Sequence, residues 1–248
     1  MKYWTIAPLF LGRLVRDKSF LIYFKDPGVK IDIGILAWLL LCEDEKIIVD
    51  TGPSPLKETA EFHMPFFQAP EQRLEAQLKR FNTSPDEIKI VIYTHLHWDH
   101  CYQNFLFKKA NIFVQKKELD YAKNPLPVQV KAYDVGQEGI VPPFRGVDFE
   151  VIEGDMEPAP GIEILLSPGH TPGMQTVCVK TREGVYILAG DTLPLYENMN
   201  VPEGTPYLPN GIYVDLKKYY KSLDRIKKMD GCILPGHDLQ VLKKIMYP

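Results

Sequence analysis

The segment His95-Leu96-His97-Trp98-Asp99-His100 holds three of the six histidines in the chain, at a spacing that suits a metal site. The residues before it, 89–94, are rich in β-branched side chains and predict a strand. Because side chains two apart on a strand share a face, His95 and His97 are expected to point the same way. The turn that follows would then present Asp99 and His100 beside them. Imidazole and carboxylate ligands favour zinc, and also suit iron, manganese or cobalt.

Three further residues complete a candidate ligand set. His170 lies in Ser-Pro-Gly-His-Thr-Pro-Gly, Asp191 follows an apolar run through Gly190, and His237 lies in Leu-Pro-Gly-His-Asp. Loops at strand ends often present reactive side chains, and glycine permits tight turns there. Seven ligands are too many for one tetrahedral ion, so we predict two divalent ions, most simply Zn²⁺, about 3.5–4 Å apart. The first would be held by His95, His97 and His170, and the second by Asp99, His100 and His237, with Asp191 bridging them.

The segments that must position these groups come in two batches of strands, each followed by helices. Strands are predicted over 3–15, 20–24, 35–42, 46–50, 89–94 and 112–115, and again over 149–152, 162–166, 176–180, 185–189 and 232–234. Helices are predicted over 70–81, 117–123, 215–229 and 239–246, and a long irregular loop over 194–209. This order predicts an α+β fold with two mixed sheets packed face to face and helices outside, an αββα sandwich. No linker is visible, so residues 1–248 are predicted to be one domain.

Composition excludes several classes of protein. The 29 basic and 32 acidic residues give a net charge of −3, with 45% apolar residues, as in an ordinary globular chain. We therefore expect neither nucleic acid nor an anionic membrane surface as partner. Four cysteines lie singly in apolar runs, which predicts buried reduced thiols. With no cleavage site after the first apolar run and no stretch long enough to span a bilayer, we expect a cytoplasmic monomer or homodimer.

The motifs, taken in their order along nearly the whole chain, resemble the metallo-β-lactamase superfamily. They are Val49-Asp50-Thr51-Gly52, Thr94 through His100, Ser167 through Gly173, Gly190-Asp191 and Leu234-Pro235-Gly236-His237. The resemblance implies an αββα sandwich with the metals at one edge between the sheets, and a hydrolase. Within the superfamily, the compact length, Asn104 and the closing segment 234–238 are most similar to the N-acyl homoserine lactonase group.

This resemblance implies a lactonase in which a hydroxide that bridges the two metals attacks the ring carbonyl of an N-acyl homoserine lactone or similar ester. Asp99 would steer the hydroxide and shuttle a proton, while Asp191 bridges the ions. Such lactonases commonly carry a tyrosine three residues after the bridging aspartate, where this chain has Pro194. Tyr196, two residues further on, is predicted to polarise the carbonyl in its place.

Other residues near the motifs have more general expected roles. Asp50 is predicted to orient a histidine ligand. Cys101 is expected to be a buried apolar filler, and His63 fits no ligand spacing. Four aromatic residues close to the motifs are candidates for the wall of a substrate slot: Phe66, Phe67, Trp98 and Tyr102.

Two other activities fit the same ligands. A thioester hydrolase of the glyoxalase II type shares all seven, although its usual basic C-terminal region is matched here only by Lys243-Lys244. A persulfide dioxygenase keeps the motif but uses one iron. Flavodiiron relatives carry glutamate where this chain has His97, which argues against them.

Overall fold

The computed structural model describes residues 2–63 and 65–248. One sheet has seven strands, in the spatial order β4-β1-β2-β3-β5-β6-β7: β1 (Thr5–Asp17), β2 (Lys30–Cys42), β3 (Glu45–Val49), β4 (Phe66–Phe67), β5 (Ile90–Ile92), β6 (Asn111–Gln115) and β7 (Glu150–Ile152). The other has five, in the order β12-β11-β10-β9-β8: β8 (Met156–Ala159), β9 (Ile162–Leu166), β10 (Gln175–Thr181), β11 (Gly184–Leu188) and β12 (Cys232–Leu234).

Both sheets are mixed. In the first, β1, β2 and β3 are antiparallel neighbours, whereas β3, β5, β6 and β7 run parallel. In the second, β8 to β11 are antiparallel and β12 joins β11 in parallel. Five α-helices lie within the described residues: α1 (Lys18–Leu21), α2 (Lys57–Phe62), α3 (Leu74–Lys79), α4 (Lys116–Lys123) and α5 (Leu216–Lys227).

Alternation along the strands separates three apolar layers. On β2, Leu36, Trp38 and Leu40 face the other sheet, while the residues between them belong to the outer layer of the first sheet. Helices α3 and α4 cover that outer layer, and α5 covers the outer face of the second sheet. Because β2 is buried on both faces, its sequence is a nearly continuous apolar run. The αββα sandwich predicted from the sequence is confirmed.

Several local predictions were wrong in type or length. Residues 20–24, predicted as a strand, fall partly in α1, which the side chain of Asp17 caps by accepting from the backbone N–H of Ser19. The helix predicted over 70–81 is divided, because Arg73 is extended between a 3-10 turn and α3. The last predicted helix is a 3-10 segment, Leu239–Lys243. Strands β4 and β8 were missed, since each is short and lies at a sheet edge.

Three cysteines are buried as predicted, namely Cys42, Cys101 and Cys178, but Cys232 on the edge strand β12 is exposed. All four are free thiols. In the described part of the chain, no helix has the length and apolar character needed to cross a membrane.

Helix α5 provides a test of the outer layer. Leu223 is 1% exposed and packs on the second sheet with Tyr219 and Ile226. Leu223→Ala should lower the free energy of unfolding by about 2–5 kcal/mol, because the truncation leaves a cavity. Lys221→Ala, at an exposed position of the same helix, should change it by less than about 0.5 kcal/mol in the same urea titration. Equal effects of the two substitutions would contradict this packing.

Candidate metal centre

The candidate ligands follow strands whose ends meet at one edge of the sandwich. The segment from His95 to His100 follows β5, and β5 runs parallel to β3. His170 follows β9, while Asp191 and His237 follow the parallel neighbours β11 and β12. Because parallel strands end at the same edge, both sheets direct their loops to a common place.

The structure brings the seven predicted ligands into two neighbouring groups. In each group the candidate ligand atoms lie within 4.8 Å of one another. All of these residues are buried except Asp99, whose side chain is 13% exposed. The first group is His95, His97, His170 and Asp191, and the second is Asp99, His100 and His237.

The carboxylate of Asp191 lies between the two groups. Its Oδ2 is 3.2 Å from Nε2 of His170, in the first group. Its Oδ1 is 2.8 Å from Nε2 of His237 and 3.4 Å from Nε2 of His100, both in the second. The two oxygens of one carboxylate therefore face different sets of imidazoles, as a bridging ligand requires.

Several buried polar atoms at the centre have no hydrogen-bond partner among the described residues. They are Nε2 of His95, Nε2 of His100 and Oδ1 of Asp191, which receives no hydrogen bond of acceptable geometry despite its close neighbours. His97 instead faces the other ligands with Nδ1, which lies 3.1 Å from Nε2 of His170. Leaving such atoms unpaired is costly, so their convergence indicates a ligand that all of them share. Nitrogen and oxygen atoms with free lone pairs fit a divalent cation.

Backbone carbonyls fix the orientation of two of the histidines. Nδ1 of His170 is 2.8 Å from the carbonyl oxygen of Ile212, and Nδ1 of His237 is 2.7 Å from that of Gly34. Because a carbonyl only accepts, each Nδ1 must carry the hydrogen and donate it. The lone pair of the neutral ring then lies on Nε2, which faces the centre.

Asp50 makes the contact that was predicted for it. Its carboxylate accepts from the backbone N–H and the hydroxyl of Thr94, and its Oδ2 is 2.8 Å from Nδ1 of His100. Asp50 itself has a positive φ of 61°, a conformation that aspartate tolerates better than most residues. One buried carboxylate thus holds His100 and the start of the histidine segment in place.

Glu118, at the start of α4, is a buried brace that the sequence analysis missed. One of its oxygens accepts from the backbone N–H of Leu96 and the hydroxyl of Tyr133. The other accepts from the hydroxyl of Thr171 and the backbone N–H of Gly173. Burial raises the pKa of Glu118, and these hydrogen bonds partly offset the shift. Nothing in the sequence marks this acid, since its partners come from three separate segments.

Two glycines in the motifs are required by close backbone approach. A Cβ on Gly173 would lie 2.2 Å from the backbone nitrogen of Glu118. A Cβ on Gly236 would lie 2.6 Å from backbone atoms of Gly190. The sequence predicted tight turns at such glycines, whereas here Gly236 lets two ligand-bearing loops touch and Gly173 lets the loop of His170 touch α4.

The pKa values of the histidines at the centre shift in two opposite directions. Burial lowers the pKa values of His95 and His97 well below the usual range, so these rings are neutral. Burial also acts on His100 and His237, but nearby carboxylates outweigh it and raise their pKa values. Burial alone would raise the pKa of Asp191, yet the surrounding histidines hold it well below the usual range.

A small cavity of about 110 Å³ opens onto the centre. Of the four aromatic residues predicted to line a substrate slot, Trp98 lies in its wall, stacked on His63 with ring centroids 3.8 Å apart. Phe66 packs against the edge of Trp98, while Phe67 is largely exposed. Tyr102 is directed elsewhere and donates to the carbonyl oxygen of Val141. His63 is not a ligand, and it pairs with Asp134 at 2.8 Å.

Tyr196 does not lie in the cavity wall. Its side chain packs against the apolar layer between the sheets, and its backbone N–H donates to the carboxylate of Asp238. Pro194 is buried, and its carbonyl accepts from the backbone N–H of His237. The chain therefore turns Tyr196 away from the centre, so the predicted role as carbonyl donor is corrected. The loop over 194–209 is held against the fold, because the side-chain amide of Asn198 donates to the carbonyls of Leu21 and Leu208.

Known proteins are similar to this chain in sequence and in fold over most of their length. The sequence model of the metallo-beta-lactamase superfamily matches residues 32–237. N-acyl homoserine lactonase AiiA of Bacillus thuringiensis subsp. kurstaki is 28% identical over 249 residues, 95% of each chain. A probable metallo-hydrolase of Methanocaldococcus jannaschii is 32% identical over 67% of this chain and 65% of its own. A solved structure of N-acyl homoserine lactone hydrolase, with N-hexanoyl-L-homoserine at its catalytic metal center, is 27% identical over 98% of this chain and 96% of its own, with a TM-score of 0.79.

The brace at Glu118 can be tested by a change that keeps its shape. Glu118→Gln replaces an acceptor oxygen with an NH₂ group that faces donors, so at least one buried donor loses its partner. We expect the free energy of unfolding to fall by about 1–3 kcal/mol in urea titrations. Asp120→Asn makes the same chemical change at an exposed position of α4 and should cost less than about 0.5 kcal/mol. A loss no larger than that of the control would show that the brace is dispensable.

Proposed function

Because the chain belongs to the metallo-beta-lactamase superfamily, we propose that it is a metal-dependent hydrolase that opens lactone rings at a dinuclear centre of the zinc type. The relatives named above as N-acyl homoserine lactonases match it over nearly their full length, in agreement with the enzyme class predicted from the sequence. Since the ligand loops of both sheets meet at one place, we also propose that the chain is a single domain.

The position of Asp191 carries the proposal of two metals. Its Oδ2 faces His170, whereas its Oδ1 faces His100 and His237. A single ion would be held by one group only, and the ligand atoms of the other group would have no metal to bind. His95, His97 and His170 would hold one ion and Asp99, His100 and His237 the other. Ligating imidazoles must be neutral, so a cation would take the place of the protons that nearby carboxylates otherwise favour on His100 and His237.

Two divalent ions, when bound, would lower the pKa of a shared water to about 7 and would polarise the ester carbonyl. The chain's own residues supply the rest. Asp99 is the most accessible of the candidate ligands, so its carboxylate is placed to orient the attacking water and to move a proton. Leu14, Ile33 and Trp98 give the cavity apolar walls that exclude bulk water.

Metal content and substrate range test this proposal together. The purified protein should contain two equivalents of a zinc-like metal per chain by elemental analysis. It should also open at least one lactone, which proton release would report. One iron per chain, with no hydrolysis of any ester but oxygen uptake with a glutathione persulfide, would indicate the dioxygenase instead. Hydrolysis of thioesters alone would indicate the glyoxalase II type.

If Asp191 bridges the two ions, its substitution should lower the metal content and the turnover together. Asp191→Asn removes one oxygen ligand and one negative charge, so metal content should fall below two equivalents. Turnover of the best lactone should fall by about a hundredfold or more. Asp44→Asn, at an exposed turn, should retain both properties. Unchanged metal content and rate in Asp191→Asn would remove the bridge from the proposal.

The contact between Asp50 and His100 predicts that substitution of Asp50 weakens the affinity for one metal ion. In Asp50→Asn the side chain keeps its size but no longer presents two acceptor oxygens to Thr94 and His100. Substitutions of this kind typically weaken metal affinity by about 10- to 100-fold. Competition with a chelator should show one of the two ions leaving more readily, whereas the Asp44→Asn control should retain both. An unaltered chelator titration would show that Asp50 does not support the ligand.

A further inference from the structure

The cavity beside the candidate centre contains a cation that the proposed hydrolysis does not use. Arg16 lies near the end of β1 and lines the same cavity as His170, Asp191 and His237. Leu14, two residues earlier on the same strand, also lines it, so one face of β1 forms part of the wall. No role for Arg16 was predicted from the sequence.

Arg16 is partly buried and makes no ion pair with the residues that the structure describes. Its Nη1 donates to the carbonyl of Val15 and its Nη2 to that of His63, the latter at 3.4 Å. No acidic side chain among the described residues lies within 4.0 Å of the guanidinium. Asp99 is near enough to raise the pKa of Arg16, although burial lowers it more. The guanidinium stays charged and has five N–H donors, so several remain for another partner.

The rest of the cavity offers little else to a polar substrate. Among the described residues that line the cavity, Asn210 is the one amide side chain besides the candidate ligands and Arg16. Its oxygen already accepts from the backbone N–H of Ile212. The other lining residues are apolar. A cavity of about 110 Å³ is also smaller than the roughly 300–1,000 Å³ of usual ligand pockets. The enclosed part of a substrate must therefore be compact.

We propose that Arg16 selects a compact lactone that carries a carboxylate beside the ring, and that it binds this carboxylate while the ester lies at the metal centre. An unpaired and partly buried guanidinium is unfavourable by itself, and a planar carboxylate satisfies its forked donors. This inference rests on the proposed lactonase function and narrows its substrate class. In the reaction, the water oxygen bonds to the ring carbonyl carbon and the ring C–O bond breaks. The ring oxygen keeps one proton as a hydroxyl, a second proton is released, and the product carries two carboxylates.

A matched pair of lactones tests the inference. γ-Butyrolactone-γ-carboxylate and its primary amide have the same ring and nearly the same size but differ in charge. We expect kcat/KM of the wild-type protein to favour the carboxylate by about 10- to 100-fold, the effect of one charge-assisted hydrogen-bond pair. Arg16→Gln should bring this ratio close to one, whereas Arg16→Lys should keep part of it.

Arg13→Gln is the matched control, because Arg13 lies on the same strand but pairs with Asp32 and stacks over Phe67 away from the cavity. It should leave the ratio unchanged. A wild-type ratio near one, or an Arg16→Gln variant that loses both substrates equally, would overturn the inference. Equal loss together with altered metal content would mean that Arg16 only supports Asp99.

Binding without turnover separates this inference from the lactonase proposal. The ring-opened product of the anionic lactone, α-hydroxyglutarate, should bind the wild-type protein in calorimetry. Arg16→Gln should weaken that binding about tenfold or more, and Arg13→Gln should not. If neither lactone is opened but this difference in binding is present, the lactonase proposal fails and the role of Arg16 stands. If lactones are opened but Arg16→Gln binds the product as the wild type does, only the role of Arg16 fails.

Discussion

The structure at this edge of the sandwich depends on one buried carboxylate held between two groups of imidazoles. Asp191 is 7% exposed, and its oxygens face His170 on one side and His100 and His237 on the other. A buried charge is tolerated only when oppositely charged or hydrogen-bonding groups surround it. The five histidines that do so come from three loops. The relative position of both sheets is therefore coupled to the chemistry of a single side chain.

The residues around the centre fix those loops through contacts that are individually small. Asp50 joins the end of β3 to His100, and Glu118 joins the histidine segment to the loop of His170. The loops of Asp191 and His237 touch directly, backbone against backbone, where Gly236 approaches Gly190. Such contacts hold the ligand atoms within one ion's reach, because a ligand placed an ångström away loses its effect. Positioning is thus distributed over the fold and is not a property of the ligands alone.

The sequence allowed the ligand groups and the layered fold to be predicted because both depend on local pattern. Histidines at fixed spacing after a β-branched run, and glycine before each remaining ligand, need no knowledge of tertiary structure. The roles of Glu118 and Arg16 could not be predicted, because their partners lie in distant segments. Tyr196 was placed by its distance from Asp191 along the chain, yet the turn after Pro194 directs its side chain into the layer between the sheets. The short edge strands were missed because two to four residues carry almost no periodicity.

The ligand set and the cavity wall determine different properties of the reaction, namely the bond that is attacked and the molecule that is bound. Imidazoles and carboxylates that meet at the strand ends determine which bond can be attacked, and members of one superfamily can share them while their substrates differ. The wall determines which molecule can bring that bond to the centre. Here it is formed by apolar side chains and one guanidinium around a small volume. A long, neutral acyl chain would leave the remaining N–H donors of that guanidinium without an anionic partner and would have to extend outside the enclosed space. The resemblance to lactonases therefore supports the reaction class more strongly than the acyl homoserine substrate, since a compact anionic ring would satisfy the charge that the wall presents.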